Sequence, residues 1–438
     1  MFYHNTKYKF ALAEGSPTNI AGGIIACSAM PAGQLLRRVR KDLRKYPYLQ
    51  HRLYDPQLYL SGLDPLTSRT TVAKLASHQW FAQHEVPDYD SQQHGTIKEW
   101  KDQHEDDLLA TWRRSPPSGQ TQRSECIRAA VAHQVELGCD AIILPSPLTN
   151  IAALNYQVEI EWLDAGIEIC AEMRVSVPIF ATIALADNVL RGIEPIGNPL
   201  LHTITSQIAS RDELAGAYIV VEQAAEDGYV CTSRETLLSV LLLTDDLSRG
   251  AAKQVIVNYM GMFGAVMAAA GVNVWSSGYY LSQRRLKLAD FEDKMGLAMP
   301  RYYSLALTGD IGLEHDVGRA FAAGLWPRVR LETPASEPLD SALAAGTFPG
   351  GAPEWEYRSS NITAAIAHYN TVAYKVGTVL DALDQPRRVD FVQRWLDRSM
   401  QLADMLNAVG IHNSTSTNMQ HPAIWLSAYE GWRAYSGL

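Results

Sequence analysis

The chain has 438 residues, 47% of them hydrophobic and 19% charged, and carries a formal net charge of −9. Such a length suits one large α/β domain with an appendage and allows a sizeable buried core. The acidic balance argues against a broad basic surface for nucleic acid, and no apolar run reaches the roughly 18 residues of a membrane span.

Five cysteines (Cys27, Cys126, Cys139, Cys170, Cys231) show no CxxC spacing. Their odd number and scatter fit reduced thiols in a cytoplasmic protein better than a disulfide framework or a structural zinc site. The opening MFYHNTKYKF lacks the basic-then-apolar form of a signal peptide.

In chain order, Ala21–Cys27 (AGGIIAC) reads as the first strand, after the turn-rich Glu14–Asn19. Pro31 opens a basic helix over Gln34–Lys45. Its cationic run Arg37–Arg44 is either a solvated face or a contact for phosphate or nucleic acid. Leu58–Leu60 reads as the second strand. A polar stretch from about 64 to 122 follows, with an acidic helical piece over Lys98–Arg114, and is expected to be an insertion in a βα loop. Its aromatics (Trp80, Tyr89, Trp100, Trp112) form either a stacking surface for a base or sugar or a small core of the insertion itself. Ser124–Gly138 is an amphipathic helix closed by glycine.

A regular alternation begins there. Ala141–Leu144, Pro178–Ala184, Ala217–Val221, Val255–Tyr259, Val272–Ser276 and Tyr302–Leu307 are short apolar runs of the kind that parallel strands show. Helices are expected between them, among them Ala152–Met173 and Ser233–Ser248, where Leu237–Thr244 (LLSVLLLT) reads as a core face. The clearest βαβ unit spans Gln254–Arg285, with Gly271 closing its helix. Eight strands alternating with helices predict a (β/α)₈ TIM-like barrel, with an open doubly wound sheet as runner-up. The expected organisation is a barrel over 1–331, a Pro/Gly/Ala-rich linker over 332–355 and a C-terminal helical subdomain over 356–438. The last part carries helical periodicity over Asn361–Leu383, Arg388–Val409 and Pro422–Tyr435. It either packs on the barrel or supports a homo-oligomer.

In such a barrel, chemistry sits where the strands end at their C-terminal face. Position therefore selects Glu222, directly after YIVV, as the leading acid/base, because a low-dielectric rim raises a carboxyl pKa. Asp187 and Asp310 are the supporting carboxylates, although each also stands where a helix cap is expected. Asp55 is placed before the second strand and hence at the opposite face. Asn258 and Tyr259 are expected to orient a substrate. Ser276, Ser277, Gly278 and Tyr279 form a turn like a phosphate-binding corner, with Arg284 and Arg285 as bidentate anion contacts. The 12 histidines include no HxH or HExxH pair, with His202, His315 and His412 isolated, so no metal site is expected. No sequence motif names a cofactor. Neither a GxSxG elbow nor a P-loop is present. The expectation is a barrel enzyme acting on a small anionic, phosphate- or ribose-bearing substrate, by glycosyl transfer or hydrolysis. The alternative is a non-catalytic barrel that binds nucleic acid or protein.

Overall fold

The computed structural model describes the chain except residues 7–9, 43–44, 83–96, 114, 151–155, 227, 294–298, 358–360, 412 and 415–416. Eight parallel strands form a single sheet that curls into a nearly closed (β/α)₈ TIM-like barrel. They are β1 (Phe2–Thr6), β2 (Gly22–Ala26), β3 (Arg52–Asp55), β4 (Ile142–Ile143), β5 (Ile179–Leu185), β6 (Gly216–Val221), β7 (Gln254–Asn258) and β8 (Val274–Ser277). Their order is β3-β2-β1-β8-β7-β6-β5-β4.

The fold class is as expected, but the strand inventory differs in three places. The N-terminal segment Phe2–Thr6 supplies β1, which lies between β2 and β8. The third strand is Arg52–Asp55, and Leu58–Leu60 is a buried 3₁₀ turn that follows it. Tyr302–Leu307 does not join the barrel sheet. Its first part, β9 (Tyr302–Ser304), pairs antiparallel with β10 (Gly309–Ile311) in a separate hairpin.

The ring is thinnest between β3 and β4. Asp140 N donates to the Arg52 carbonyl at 3.0 Å, and Arg52 N donates to the Asp140 carboxylate at 2.9 Å. Arg52 Nε reaches back to the Leu137 carbonyl at 2.7 Å. Outside this seam, the rings of Tyr54, His78, Trp80 and His133 pack together, with Tyr54 and His133 centroids 5.0 Å apart. Burial lowers the pKa of His133 to about 4 and that of His78 well below the usual imidazole value, so both imidazoles sit there neutral.

The long β3–β4 crossover carries helices Arg69–Ala76, Ile97–Thr111 and Gln120–Glu136. Trp80 and Trp112 are buried and donate their indole N–H groups to the carbonyls of Pro56 and Leu63. They serve as local core. Trp100 lies on the middle helix, and Tyr89 lies outside the described residues.

Helix Arg234–Asp245 is buried over Thr236–Asp245 because the C-terminal helix His421–Ser436 packs on its outer side. Trp425 anchors that layer: its indole donates to the Cys231 carbonyl at 2.9 Å, and its ring meets Phe263 edge-on at 5.0 Å. Two further helices, Thr363–Asp381 and Gln385–Ala408, complete the C-terminal layer, the first packing on β1 and β9. The stretch 332–355 is more ordered than its composition predicts. It contains helix Glu337–Ala344 and a 3₁₀ turn, Pro353–Trp355, with Trp355 buried and bonded to the Ala335 carbonyl. Among the described residues, no helix is long and apolar enough to cross a membrane. The five cysteines are buried and unpaired with one another.

A deletion and a substitution test this architecture. Deleting Phe2–Thr6 strips the partner from one side of both β2 and β8, so the shortened chain is expected to lose its cooperative thermal transition. A cooperative melt in circular dichroism for that variant would rule out the ring described here. At Gly216 an added Cβ would lie 1.9 Å from the Gln254 carbonyl oxygen. Because the obstacle is backbone, Gly216→Ala is expected to destabilise by about 3 kcal/mol, the upper end for overpacking, measurable by urea unfolding.

Candidate functional site

The barrel interior at the C-terminal end holds a connected polar network. Tyr218 on β6 donates to Asp55 Oδ2 at 2.7 Å, and Tyr59 donates to the same oxygen at 2.5 Å. Since β3 and β6 are not neighbours in the sheet, the Tyr218–Asp55 bond crosses the barrel interior. Asn258 on β7 donates to the Tyr218 hydroxyl at 2.8 Å and accepts from Asn5 on β1 at 2.9 Å. Gln57 joins Tyr259, its Nε2 donating to the Tyr259 hydroxyl at 2.7 Å, while its Oε1 accepts from the Ser28 amide. All of these side chains are buried.

Both Gln57 (φ 51°) and Tyr259 (φ 62°) adopt the left-handed conformation. That conformation is uncommon in non-glycine residues and tends to occur where the surroundings hold the backbone for function. Asp55, expected at the far face, is therefore at the C-terminal end of β3. The error follows from the misplaced strand: with Leu58–Leu60 as the strand, Asp55 precedes it; with Arg52–Asp55, it ends it.

Above this network runs the segment that follows β8. Leu286 bridges to Glu222 and Arg285 to Met260, so the segment crosses the ends of β6 and β7. Helix Leu281–Arg284 starts it, and Gln283 donates to the Asn5 carbonyl at 2.6 Å. The turn expected to cradle phosphate is filled by that same glutamine: a Cβ on Gly278 would lie 2.3 Å from Gln283 Oε1. Ser277 shares a hydrogen bond with the Tyr369 hydroxyl at 2.6 Å, and the buried Ser276 hydroxyl has no hydrogen-bond partner among the described residues. Arg285 is a staple. It bonds Asp290 through Nε at 2.8 Å and the carbonyls of Glu226 and Gly228 through Nη1.

The rim carries Glu222 and Asp187 side by side. The Asp187 amide donates to Glu222 Oε2 at 3.4 Å. Asp187 pairs with Arg191 at 2.9 Å, and Arg191 continues to Glu226 at 2.6 Å. Burial raises the Glu222 pKa; the Asp187 amide opposes this, the Asp187 charge adds to it, and Lys287 opposes it. The two carboxylates thus differ in environment, one with an arginine partner and one with a single long hydrogen bond. Asp187 Oδ1 is buried without a hydrogen-bond partner among the described residues.

Asp310 belongs to a different cluster, on β10. Arg284 Nη1 donates to its Oδ2 at 2.6 Å, with both side chains fully enclosed. Arg301 lies 3.7 Å from the same oxygen. The Arg284 guanidinium sits 4.0 Å from the Tyr369 ring and faces Tyr229, Tyr279 and Tyr303, while that of Arg301 lies 3.7 Å from Tyr229. Arg284 Nη2, Arg301 Nε and the Tyr303 hydroxyl are buried with no hydrogen-bond partner among the described residues. Two guanidinium charges face one carboxylate here.

Neither a protein-family model nor a curated protein matches the chain. Of the residues selected by position, the structure brings Glu222 next to Asp187, ties Asn258 and Tyr259 into the interior network, and places Arg284 with Asp310 in the tyrosine cluster. Sequence reading did not find the interior roles of Asn5, Gln57, Tyr59 and Tyr218, nor Arg301. Tyr59 at four residues from Asp55 was the available signal. Among the described residues, no group of three or more His, Cys, Asp or Glu side chains is arranged to hold a metal ion; His412 lies outside them.

Burial pushes the Asp55 carboxyl up to about 6 from 3.8, against the pull of the Tyr59 and Tyr218 hydroxyls. The folded chain keeps a proton that the unfolded chain has released. Stability contributed by that proton is complete below the unfolded value and is lost as pH rises through about 6. The loss amounts to about 3 kcal/mol at about 1.4 kcal/mol per unit. Asp55→Asn is expected to lack this decline. Urea unfolding of both proteins across that range is the measurement; parallel curves would show that Asp55 does not hold the proton.

Proposed function

We propose that the chain is a barrel enzyme in which Glu222 is the general acid/base, acting on an anionic, phosphate- or ribose-bearing substrate. The observation that carries this reading is the Glu222 carboxyl itself: buried at the rim, raised in pKa, held by one 3.4 Å hydrogen bond and set beside Asp187. A carboxyl raised in pKa beside a second, cation-paired carboxylate is suited to donate a proton to a leaving group while its neighbour stabilises positive charge or activates water. Glycosyl transfer or hydrolysis is the reaction class that uses this pair.

For the substrate's negative charge we assign Arg284 with Arg301: Arg284 Nη2 and the nearby Tyr303 hydroxyl have no hydrogen-bond partner among the described residues, and Arg301 Nε has only the Asp310 carboxylate, at 3.7 Å. Buried donors of this kind are costly unless met by an acceptor. Asn258 and Tyr259 form the floor beneath the reacting group. Asp310 is assigned to positioning Arg284.

The alternative, a nucleic-acid- or protein-binding module using Arg37–Arg44, rests on helix Ala32–Asp42. There Arg40 is already paired with Glu136 at 2.6 Å and Arg37 donates to the Gly33 carbonyl, while Arg44 lies outside the described residues. A homo-oligomer through the C-terminal helices is a further proposal, to be read from the mass in solution.

Turnover of a panel of nucleosides, nucleotides and sugar phosphates, followed by release of base or free sugar, tests the enzymatic reading. Glu222→Gln is expected to keep the wild-type melting transition and lose about 100-fold or more in rate. The proposal is dropped if the wild type turns over no member of the panel, or if the variant matches it.

A further inference from the structure

Away from the barrel mouth, the β9–β10 turn and the C-terminal helices Thr363–Asp381 and Gln385–Ala408 border a cavity of about 260 Å³. Its wall is apolar, built from Leu305, Leu331, Phe391 and Trp395. The indole N–H of Trp395 is already spent on the Leu305 carbonyl at 2.7 Å, so the ring offers only its apolar surface. One water needs only about 10–15 Å³ of such space, so the cavity is large enough for a small organic molecule.

Three arginines border the same cavity: Arg330, Arg394 and Arg398. Arg330 is paired with Glu332 at 2.8 Å. Arg394 and Arg398 are exposed and stand four residues apart on helix Gln385–Ala408, where side chains share a face. Neither forms an ion pair with the described residues. Like charges at this spacing repel, and here they do so at the lip of an apolar hollow. An apolar wall with a small number of placed charged groups is the usual composition of a small-molecule site.

We infer that this cavity binds a medium-chain alkyl carboxylate, the tail lying against Trp395 and Phe391 and the head group meeting Arg394 and Arg398. The site is separate from the barrel mouth and independent of the reaction proposed there. Cationic or neutral amphiphiles lack the head group that the two arginines require, and a short-chain acid leaves the wall unfilled.

Isothermal titration of the full chain with sodium decanoate, below the concentration at which it forms micelles, tests the site. One decanoate per chain is expected. Hexanoate and decyltrimethylammonium should each bind at least tenfold more weakly. Arg394→Gln combined with Arg398→Gln should weaken decanoate tenfold or more, and Ala306→Trp, which fills the cavity, should abolish binding; circular dichroism checks that both variants fold. The inference is overturned if decanoate does not bind, or binds at several sites per chain. It is equally overturned if either folded variant binds like the wild type, or if decyltrimethylammonium binds as well as decanoate.

Discussion

The hydrogen bond from Tyr218 to Asp55 joins walls of the barrel that share no ladder. A ring of parallel strands is ordinarily filled by branched apolar side chains in layers. Here the upper interior is filled by a carboxyl, hydroxyls and amides linked by hydrogen bonds, with Asn5 Oδ1 left without a partner among the described residues. Such a network specifies one arrangement, since a strand shifted by one residue would strip several buried groups of their partners at once. The left-handed backbone at Gln57 and Tyr259 belongs to the same constraint, because it aims both side chains into the network.

That interior also explains which strands could be read from the sequence. β5, β6 and β7 are dominated by apolar residues on both faces, and their boundaries were recognised to within a residue or two. β1 (FYHNT) and β3 (RLYD) were missed because their inward positions are occupied by Asn5 and Asp55, so an apolar-run criterion passes over them. The more apolar neighbour LYL attracted the assignment instead, and YYSLAL attracted another that belongs to a hairpin. The barrel survived these errors because a missed strand at the N-terminus and a surplus one near Tyr302 left the count unchanged.

Site residues followed the same logic. Glu222 and Asp187 end adjacent strands, so position alone put them together. The partnership of Arg284 with Asp310 and Arg301 was not legible, since it depends on how a hairpin outside the sheet folds back over the strand ends. Arg285 looks identical to Arg284 in the sequence, yet it ties the segment after β8 to carbonyls of the loop after β6. Neighbouring arginines thus take different tasks, one stapling the segment after β8 and one facing a tyrosine cage.

The thin junction between β3 and β4 carries a consequence for the whole molecule. A complete ring has no strand edges, whereas this one leaves β3 and β4 each bonded fully on one side only. Such edges are templates for strands of other chains. The rings of His78, Trp80 and His133, carried by the long excursion between the two strands, pack against Tyr54 of β3. In this chain the long β3–β4 crossover thus contributes the rings that pack on the edge strand from which it departs.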